Sequence, residues 1–553
     1  MIVSAAQMLE AEKIAFSAGA TAEGLMEIAG REAARLVRQF HPKPGRCVVF
    51  FGKGHNGGDG LVVARYLAEA GWSIELQKTF PDADLAPLTA KQLGRVWKTR
   101  PEATGPLVVL DGLLGIGASG EPREPVASAI RRINALRATE AAWVLALDIP
   151  SGLGSEVCVQ ADATAAMGFA KTQLVADAAT HFVGRLAVIP LPGVHAPSDA
   201  DKAEILQSTD LRSLLPPRGF DTHKGQCGRV AVIAGSQKYP GAARLCSAAA
   251  VKAGAGLVTL FVPPDIVPFL SAAVIPEVMV SPVSDLHEIL DQKFDAVAIG
   301  PGLGRERDEI VRAFLSECPA PCVIDADALN AISLDPSCLK NNPAPRLLTP
   351  HPLEMERLFP QKSRSRRQWL EDFVAEYPVT LLLKGARTLI GERGTPPAYN
   401  TTGHPGMATG GMGDVLTGVA AALLAQGKSP LQSAKLAAWL CGHAAELALR
   451  DGPASQESLT ASDILTHLGP AFTHLRAGAS KKPPRAEPLG EGQRPRLTQT
   501  STSSSHQASK PQARNAPHNE KLLHRETNKR FRSERRRPRR HQGVIDITTQ
   551  PVS

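Results

Sequence analysis

The sequence predicts an α/β protein built on two doubly wound parallel sheets, and three observations predict it. Short apolar runs alternate with stretches of helical periodicity. Turns rich in glycine and aspartate follow those runs. The whole series occurs twice, on either side of a proline-containing stretch.

Residues 1 to about 40 read as helical. Met8, Ile14, Ala15, Leu25, Ile28, Ala29, Ala33, Leu36 and Val37 recur there largely at spacings of three and four. Pro42-Lys43-Pro44-Gly45 breaks the pattern and leads into residues 47–51, an apolar run suited to a buried parallel strand. A glycine turn and a helix over 61–70 follow. Residues 107–110 and 143–147 read as further strands, ending in Asp111 and Asp148. The stretch from Pro190-Leu191-Pro192-Gly193 to Pro216-Pro217-Arg218 holds the expected boundary between domains at 1–205 and 215–475. The second series opens at 229–236. Its other strands are expected at 257–262, 295–299, 321–325, 346–349 and 379–383, and 415–449 reads as an Ala/Leu-rich helical region.

At 553 residues the chain is too long for one ordinary domain, and 43% apolar residues is a globular composition. The net charge of +8 comes from the end of the chain. Residues 478–553 hold 17 Lys/Arg against 6 Asp/Glu, so the body is mildly acidic and no nucleic-acid role is expected for it. That segment has few apolar residues, a Ser/Thr run at 500–505 and an Arg-rich run at 530–540, and is expected to be a disordered basic tail. Arg535-Arg536-Arg537-Pro538-Arg539-Arg540 suits contact with nucleic acid or an acidic surface, but a solvated extension is the preferred reading. Eight scattered cysteines form no CxxC pair and read as buried free thiols in a reducing compartment. With no basic-plus-apolar leader at the start and no apolar run of about 18 residues, the expectation is a cytoplasmic protein.

Two segments carry the chemistry. In the first half, Phe51-Gly52-Lys53-Gly54-His55-Asn56-Gly57-Gly58-Asp59-Gly60 lies between a strand and a helix, which suits binding of a dinucleotide phosphate. It adds a carboxamide and a carboxylate, which imply chemistry or an ion. Asp111 and Asp148 end the next strands on the same face. Each Asp taken singly reads as a cap of the next turn; three such segments in order point to a site. Together they resemble the NAD(P)H-hydrate epimerase domain over about 1–205, a Rossmann-like three-layer fold. The resemblance implies a potassium ion held by Asn56, Asp111 and Ser151 with backbone carbonyls, and oxygen ligands suit an alkali cation. It further implies substrate contacts from His55, Asn56, Gly57, Gly58, Asp59, Gly115, Ile116, Gly117, Ala118, Ser119, Gly120, Glu121 and Asp148. Asp148 would help move protons at the hydroxylated C6 of the nicotinamide ring. The family usually shows an Asp and a longer loop after Ser151-Gly152-Leu153, where this chain has a shortened Gly154-Ser155-Glu156.

In the second half, Gly406 to Gly418 sets glycines and one carboxylate before an apolar run. Bare N–H groups at that helix start can hold phosphate, and Asp414 beside them can take a proton from an attacking hydroxyl. Upstream, turns at 235–243, 300–304, 325–330, 349–354 and 384–388 each follow a strand. Singly they have plain explanations: a turn, a capping His351, a surface Lys384. In order they resemble the ADP-dependent NAD(P)H-hydrate dehydratase, a ribokinase-like fold, over about 215–475. The resemblance implies that Ala242, Gly302, His351 and Asp414 contact the hydrated nucleotide. Lys384, Gly385, Ala386, Arg387, Thr388 and Gly413 would hold the adenine nucleotide, with ADP as co-substrate and Mg2+ accompanying it.

The reading is therefore a bifunctional repair enzyme that epimerises the R and S forms of hydrated NADH and NADPH and dehydrates the S form. A dehydratase that positions one hydroxyl against Asp414 misplaces the other epimer's, so an epimerase in the same chain drains both pools. A small-molecule kinase of the ribokinase-like class and a non-enzymatic N-terminal binding module are the alternatives. Alanine-rich helices suit packing between subunits of a homo-oligomer.

Overall fold

Local signals place the first helices. Ser4 caps Ala5–Ser17 and is itself bonded back by Gln7, and Thr21 caps Ala22–Phe40. The second helix buries Leu25, Met26, Ala29, Ala33 and Val37 along one face, the stripe that the periodicity predicts. The computed structural model describes residues 1–96, 104–360 and 365–477. The expected basic tail over 478–553 lies outside the described residues.

Six parallel strands form the N-terminal sheet, in the order Ser73–Lys78, Arg46–Phe51, Leu107–Gly112, Trp143–Leu147, Ala163–Met167, Arg185–Ile189. Three of these have apolar cores read directly from the sequence. Ser73–Lys78 escapes that reading because it is a half-exposed edge strand with charged residues. Ala163–Met167 escapes it because alanine and threonine carry little strand signal, although every residue in it is buried.

The second sheet has ten strands, and seven of them form one parallel run, which starts with Val278–Pro282, Leu257–Val262, Arg229–Ile233, Ala296–Ile299, Cys322–Ile324 and Arg346–Leu348 in spatial order. Thr380–Leu383 continues them in parallel. Leu389–Gly391 and Ala398–Tyr399 then run antiparallel, and Glu204–Ile205 closes the edge beside Ala398–Tyr399. Residues 204–205, expected at the end of the N-terminal domain, therefore hydrogen-bond into the C-terminal sheet.

One helix expectation is corrected. The helix after the first glycine turn begins at His55 rather than Leu61 and runs to Glu69, so His55 to Gly60 form its first turns. The helical region 415–449 is two helices, Met412–Ala425 and Pro430–Asp451. Gly427 at φ +81° ends the first, and Ser429 with Pro430 starts the next.

The two sheets share a core. Ile149, Ala170 and Leu174 of the first half pack in one cluster with Leu303, Phe359 and Tyr399 of the second. Arg185 also donates to Glu446 at 2.7 Å and to Thr401 at 2.6 Å across the same junction. All eight cysteines are free thiols; Cys338 alone is half-buried. No helix among the described residues is long and apolar enough to cross a membrane.

Candidate functional site

The strand ends of the N-terminal sheet bring Asn56, Asp111 and Ser151 together. Asp111 is fully buried, and its Oδ1 accepts the Ser151 hydroxyl at 2.6 Å while Oδ2 accepts the Ser151 N–H at 2.8 Å. Ser151 Oγ in turn accepts the Leu114 N–H at 3.0 Å, and Asn56 Nδ2 donates to the Leu114 carbonyl at 2.8 Å. Burial pushes the Asp111 carboxyl up to about 6, against the pull of its bonds from Ser151 and Leu113. Asn56 Oδ1 is buried without any partner. A buried, unpartnered carbonyl oxygen next to a carboxylate and a hydroxyl is the donor set that a hard cation satisfies.

Other predicted substrate residues surround this cradle. Gly115 lies against Asn56, since a Cβ on it would stand 3.4 Å from the Asn56 Cβ. Gly117 to Glu121 are exposed. They are joined to the shortened segment by Ser155 Oγ, which donates to the Gly120 carbonyl at 3.3 Å, and by the Glu156 N–H, which donates to Glu121.

Asp148 sits in left-handed backbone at φ +66°, uncommon for a residue with a side chain. Its Oδ1 accepts the Met167 N–H at 3.1 Å and the ammonium of Lys171. Sequence reasoning missed Lys171 and also Glu12, whose carboxyl interacts electrostatically with Asp148 and Lys171. The available signal was a lone lysine closing the apolar run Ala163 to Ala170.

In the C-terminal sheet the predicted turns also converge. A Cβ on Gly302 would meet that of Ala242 at 2.9 Å, so these two positions adjoin. Ser236 Oγ donates to the Gly302 carbonyl at 2.8 Å, and Gly235 N–H donates to the Pro301 carbonyl at 2.8 Å. Lys384 donates to Asp325 Oδ1 at 2.7 Å and stands 3.7 Å from Glu354. Burial alone would lower that ammonium, but Asp325 and Glu354 outweigh it and hold it above the ordinary lysine range.

Gly411, at φ +89°, caps the helix Met412–Ala425 and puts Gly413 and Asp414 in its first turn. A Cβ on Gly413 would lie 3.3 Å from both Asp325 Oδ2 and Lys384 Nζ. Asp414 is pushed up to about 6, first by burial and then by the Asp325 carboxylate, with Lys384 opposing.

His351 takes the capping role. Its Nδ1 accepts the N–H groups of Leu353 and Glu354, at 3.1 and 3.2 Å, and Glu354 reaches back to the His351 N–H at 2.8 Å. Its side chain is 43% exposed, so the other ring edge is open. In the loop 384–388, Gly385 and Ala386 are exposed, while the Arg387 guanidinium turns inward and donates to the Leu174 carbonyl of the first half. Asp325 is the chief residue left unassigned by sequence reasoning, although its motif was recognised. Its partners Lys384 and Thr417 lie 59 and 92 residues away.

Two α/β units, each presenting a buried carboxylate beside glycine turns at its strand ends, define a two-site enzyme. Residues 22–173 match the family described as YjeF-related protein N-terminus, and residues 230–467 match NAD(P)H-hydrate dehydratase. A bifunctional NAD(P)H-hydrate repair enzyme of Moorella thermoacetica is 34% identical over 513 residues, which covers 84% of this chain and 96% of that relative. Its counterpart in Gloeobacter violaceus is 35% identical over 471 residues, 79% of this chain and 91% of that one. Among solved structures, the ADP/ATP-dependent NAD(P)H-hydrate dehydratase from Bacillus subtilis co-crystallized with ATP/Mg2+ is 26% identical. It covers 50% of this chain and 100% of that chain, with a TM-score of 0.44. The chain belongs to the bifunctional NAD(P)H-hydrate repair enzyme family. Its fold is the expected α/β pair, a six-stranded parallel sheet in the first half and a mostly parallel ten-stranded sheet in the second.

Proposed function

We propose that this chain interconverts the R and S epimers of hydrated NADH and NADPH in its first half and dehydrates the S form in its second, consuming ADP. One observation carries the reading. Relatives named as bifunctional NAD(P)H-hydrate repair enzymes align over more than three quarters of the chain, and this reading is supported by the pairing of Ser151 with Asp111 in the first half and of Lys384 with Asp325 in the second.

In the dehydratase half, Asp414 removes the proton of the C6 hydroxyl as its oxygen attacks the terminal phosphorus of ADP, releasing AMP. Hydroxide is a poor leaving group and phosphate a good one. Loss of phosphate from C6 and of a proton from C5 restores the ring double bond. The N–H groups at the start of the helix Met412–Ala425 and the Lys384 ammonium stabilise charge on the transferred group. Ala242, Gly302 and the open edge of His351 position the hydrated ring. The exposed backbone of Gly385 and Ala386 holds the nucleotide with Arg387, Thr388 and Gly413. Magnesium bound with the nucleotide would offset the charge of its phosphates.

In the epimerase half, Asn56 Oδ1, Asp111 and Ser151 fit a potassium ion, which would fix the loop 113–121 beside the substrate. His55 to Asp59, Gly115 to Glu121 and Asp148 contact the hydrated nucleotide.

The test is recovery of absorbance at the NADH wavelength from a mixed-epimer hydrate with purified chain, ADP or ATP, and Mg2+. Full recovery is expected with ADP. Recovery that stops at the fraction of one epimer removes the epimerase assignment. No recovery with either nucleotide removes the repair reading and favours a small-molecule kinase.

A further inference from the structure

Cys318 follows the helix Asp308–Glu317 and Cys322 opens the strand Cys322–Ile324, with Pro319-Ala320-Pro321 as the link between them. Each proline fixes its φ at about −65°, so the link is stiff. The two sulfurs stand 3.7 Å apart, and the Cys322 S–H donates to the Cys318 sulfur. A disulfide holds its sulfurs about 2 Å apart, so the pair needs little further approach.

The link closes around a buried cation. Arg346 is 1% exposed. Its guanidinium donates to the carbonyls of Leu315, Cys318 and Ala320, at 2.9, 2.8 and 2.9 Å, and its Nε has no hydrogen-bond partner. Among the described residues no carboxylate pairs with it. A buried cation answered only by carbonyl dipoles favours an anion beside it, and a thiol there can become one. The S–H bond from Cys322 lowers the Cys318 thiol below the ordinary cysteine range; burial opposes this and Arg346 assists. Cys322 moves the other way and keeps its proton.

Cys318 also lines a surface pocket of about 130 Å³, shared with Phe294, Phe314, Pro319, Ala320 and the exposed Lys293. That is space for a few water-sized molecules, so it admits hydrogen peroxide and excludes a peptide disulfide such as oxidised glutathione. Cys322 lies outside the lining and is fully buried.

We propose that Cys318 and Cys322 form a peroxide-sensitive dithiol site, with Cys318 the attacking sulfur and Cys322 the resolving one. The Cys318 thiolate attacks one oxygen of hydrogen peroxide, and the O–O bond breaks. The departing hydroxide takes up the proton that Cys318 released, leaving a sulfenic acid and water. Cys322 then gives up its proton and attacks the Cys318 sulfur. The S–O bond breaks, and the second hydroxide leaves with that proton as water. Two thiols and one peroxide thus become one disulfide and two waters, the two electrons passing from sulfur to oxygen.

The experiment treats the full chain with hydrogen peroxide in about tenfold excess near neutral pH, blocks the remaining thiols and locates the modified ones by mass spectrometry. One disulfide between Cys318 and Cys322 is expected, reversed by a dithiol reductant. It should form at least about tenfold faster than any change at Cys47, Cys246 or Cys441, whose thiols burial raises. Cys338→Ser is expected to leave the bridge unchanged. Cys322→Ser should stop at a Cys318 sulfenic acid that dimedone traps, and Cys318→Ser should give neither bridge nor trapped acid. Oxidised glutathione at the same excess should leave the pair as thiols. Exchange of sulfur for oxygen keeps the side-chain shape, and unchanged melting curves check that the variants fold. Eight thiols that oxidise at one rate, or a Cys318–Cys322 pair that stays reduced, overturn the proposal. A bridge from Cys318 to Cys338 overturns the role of Cys322, and a sulfenic acid on Cys322 in Cys318→Ser overturns the order of attack.

Discussion

Thr417 donates its hydroxyl to Asp325 Oδ2 at 2.9 Å, which ties the helix carrying Asp414 to the end of the strand Cys322–Ile324. Asp325 is therefore held ionised by Lys384 and Thr417, and its charge helps push Asp414 up to about 6. A base must be ionised to act, so kcat/KM for dehydration should rise through about pH 6 and fall roughly tenfold per pH unit below it. Asp414→Asn should reduce kcat by about 100- to 10,000-fold at every pH and leave epimerisation intact. A pH profile flat from 5 to 8 in the wild type would show that Asp414 is not the base.

Asn56 Oδ1 is a buried oxygen without a hydrogen-bond partner among the described residues, and its place beside Asp111 and Ser151 makes a second prediction. Replacing sodium by potassium in the buffer should raise the epimerisation rate and the melting temperature. Asn56→Ala should abolish both responses to potassium while dehydration stays at its wild-type rate. Identical melting curves in the two salts for the wild type would remove the ion assignment.

Gly418 lets two helices approach. A Cβ there would stand 2.1 Å from the Cys246 carbonyl oxygen and 2.7 Å from the Ala249 Cβ, both on the helix Pro240–Lys252. Alanine favours a helix interior over glycine by about 1 kcal/mol, so an isolated helix would gain. The clash is with backbone and cannot be relieved by a rotamer. Gly418→Ala should therefore destabilise by about 1–3 kcal/mol, read from thermal unfolding, and should lower dehydration by shifting the helix that carries Asp414. An unchanged or higher melting temperature would mean that the helices separate at little cost.

The legible parts of this chain were those encoded locally. Apolar strands such as Arg46–Phe51 and Trp143–Leu147, and the glycine turns after them, stand out because each signal fits within ten residues. The start of the helix at His55 was hidden because Asn56-Gly57-Gly58-Asp59-Gly60 has poor helix propensity, and the packed sheet overrides it. Lys171 was hidden for another reason. Its meaning depends on Asp148, 23 residues earlier and just past the end of a different strand, and no periodicity announces that pairing. Glu12 and Asp325 are similar cases. Their residue types are common, and only the fold shows what faces them.

The last prediction concerns the junction of the two halves. Arg185, on the edge strand Arg185–Ile189 of the first sheet, donates to Glu446 on the helix Pro430–Asp451 of the second unit at 2.7 Å. Glu446 also accepts from the Gly403 N–H at 3.2 Å and lies 2.9 Å from His443 Nδ1. Burial alone would raise this carboxyl, but Arg185 and His443 overcome it and hold it near 2. A depressed carboxylate stabilises the fold above its unfolded pKa, and that contribution disappears as pH falls from about 4.5 toward 2. Arg185→Met leaves the Glu446 charge buried with its main partner gone, which should cost about 3–5 kcal/mol at neutral pH. The gap in melting temperature between wild type and variant should be widest above pH 5 and should narrow steadily below 4.5. A gap that stays constant down to pH 2.5 would show that the loss comes from packing and not from the Arg185–Glu446 charge pair.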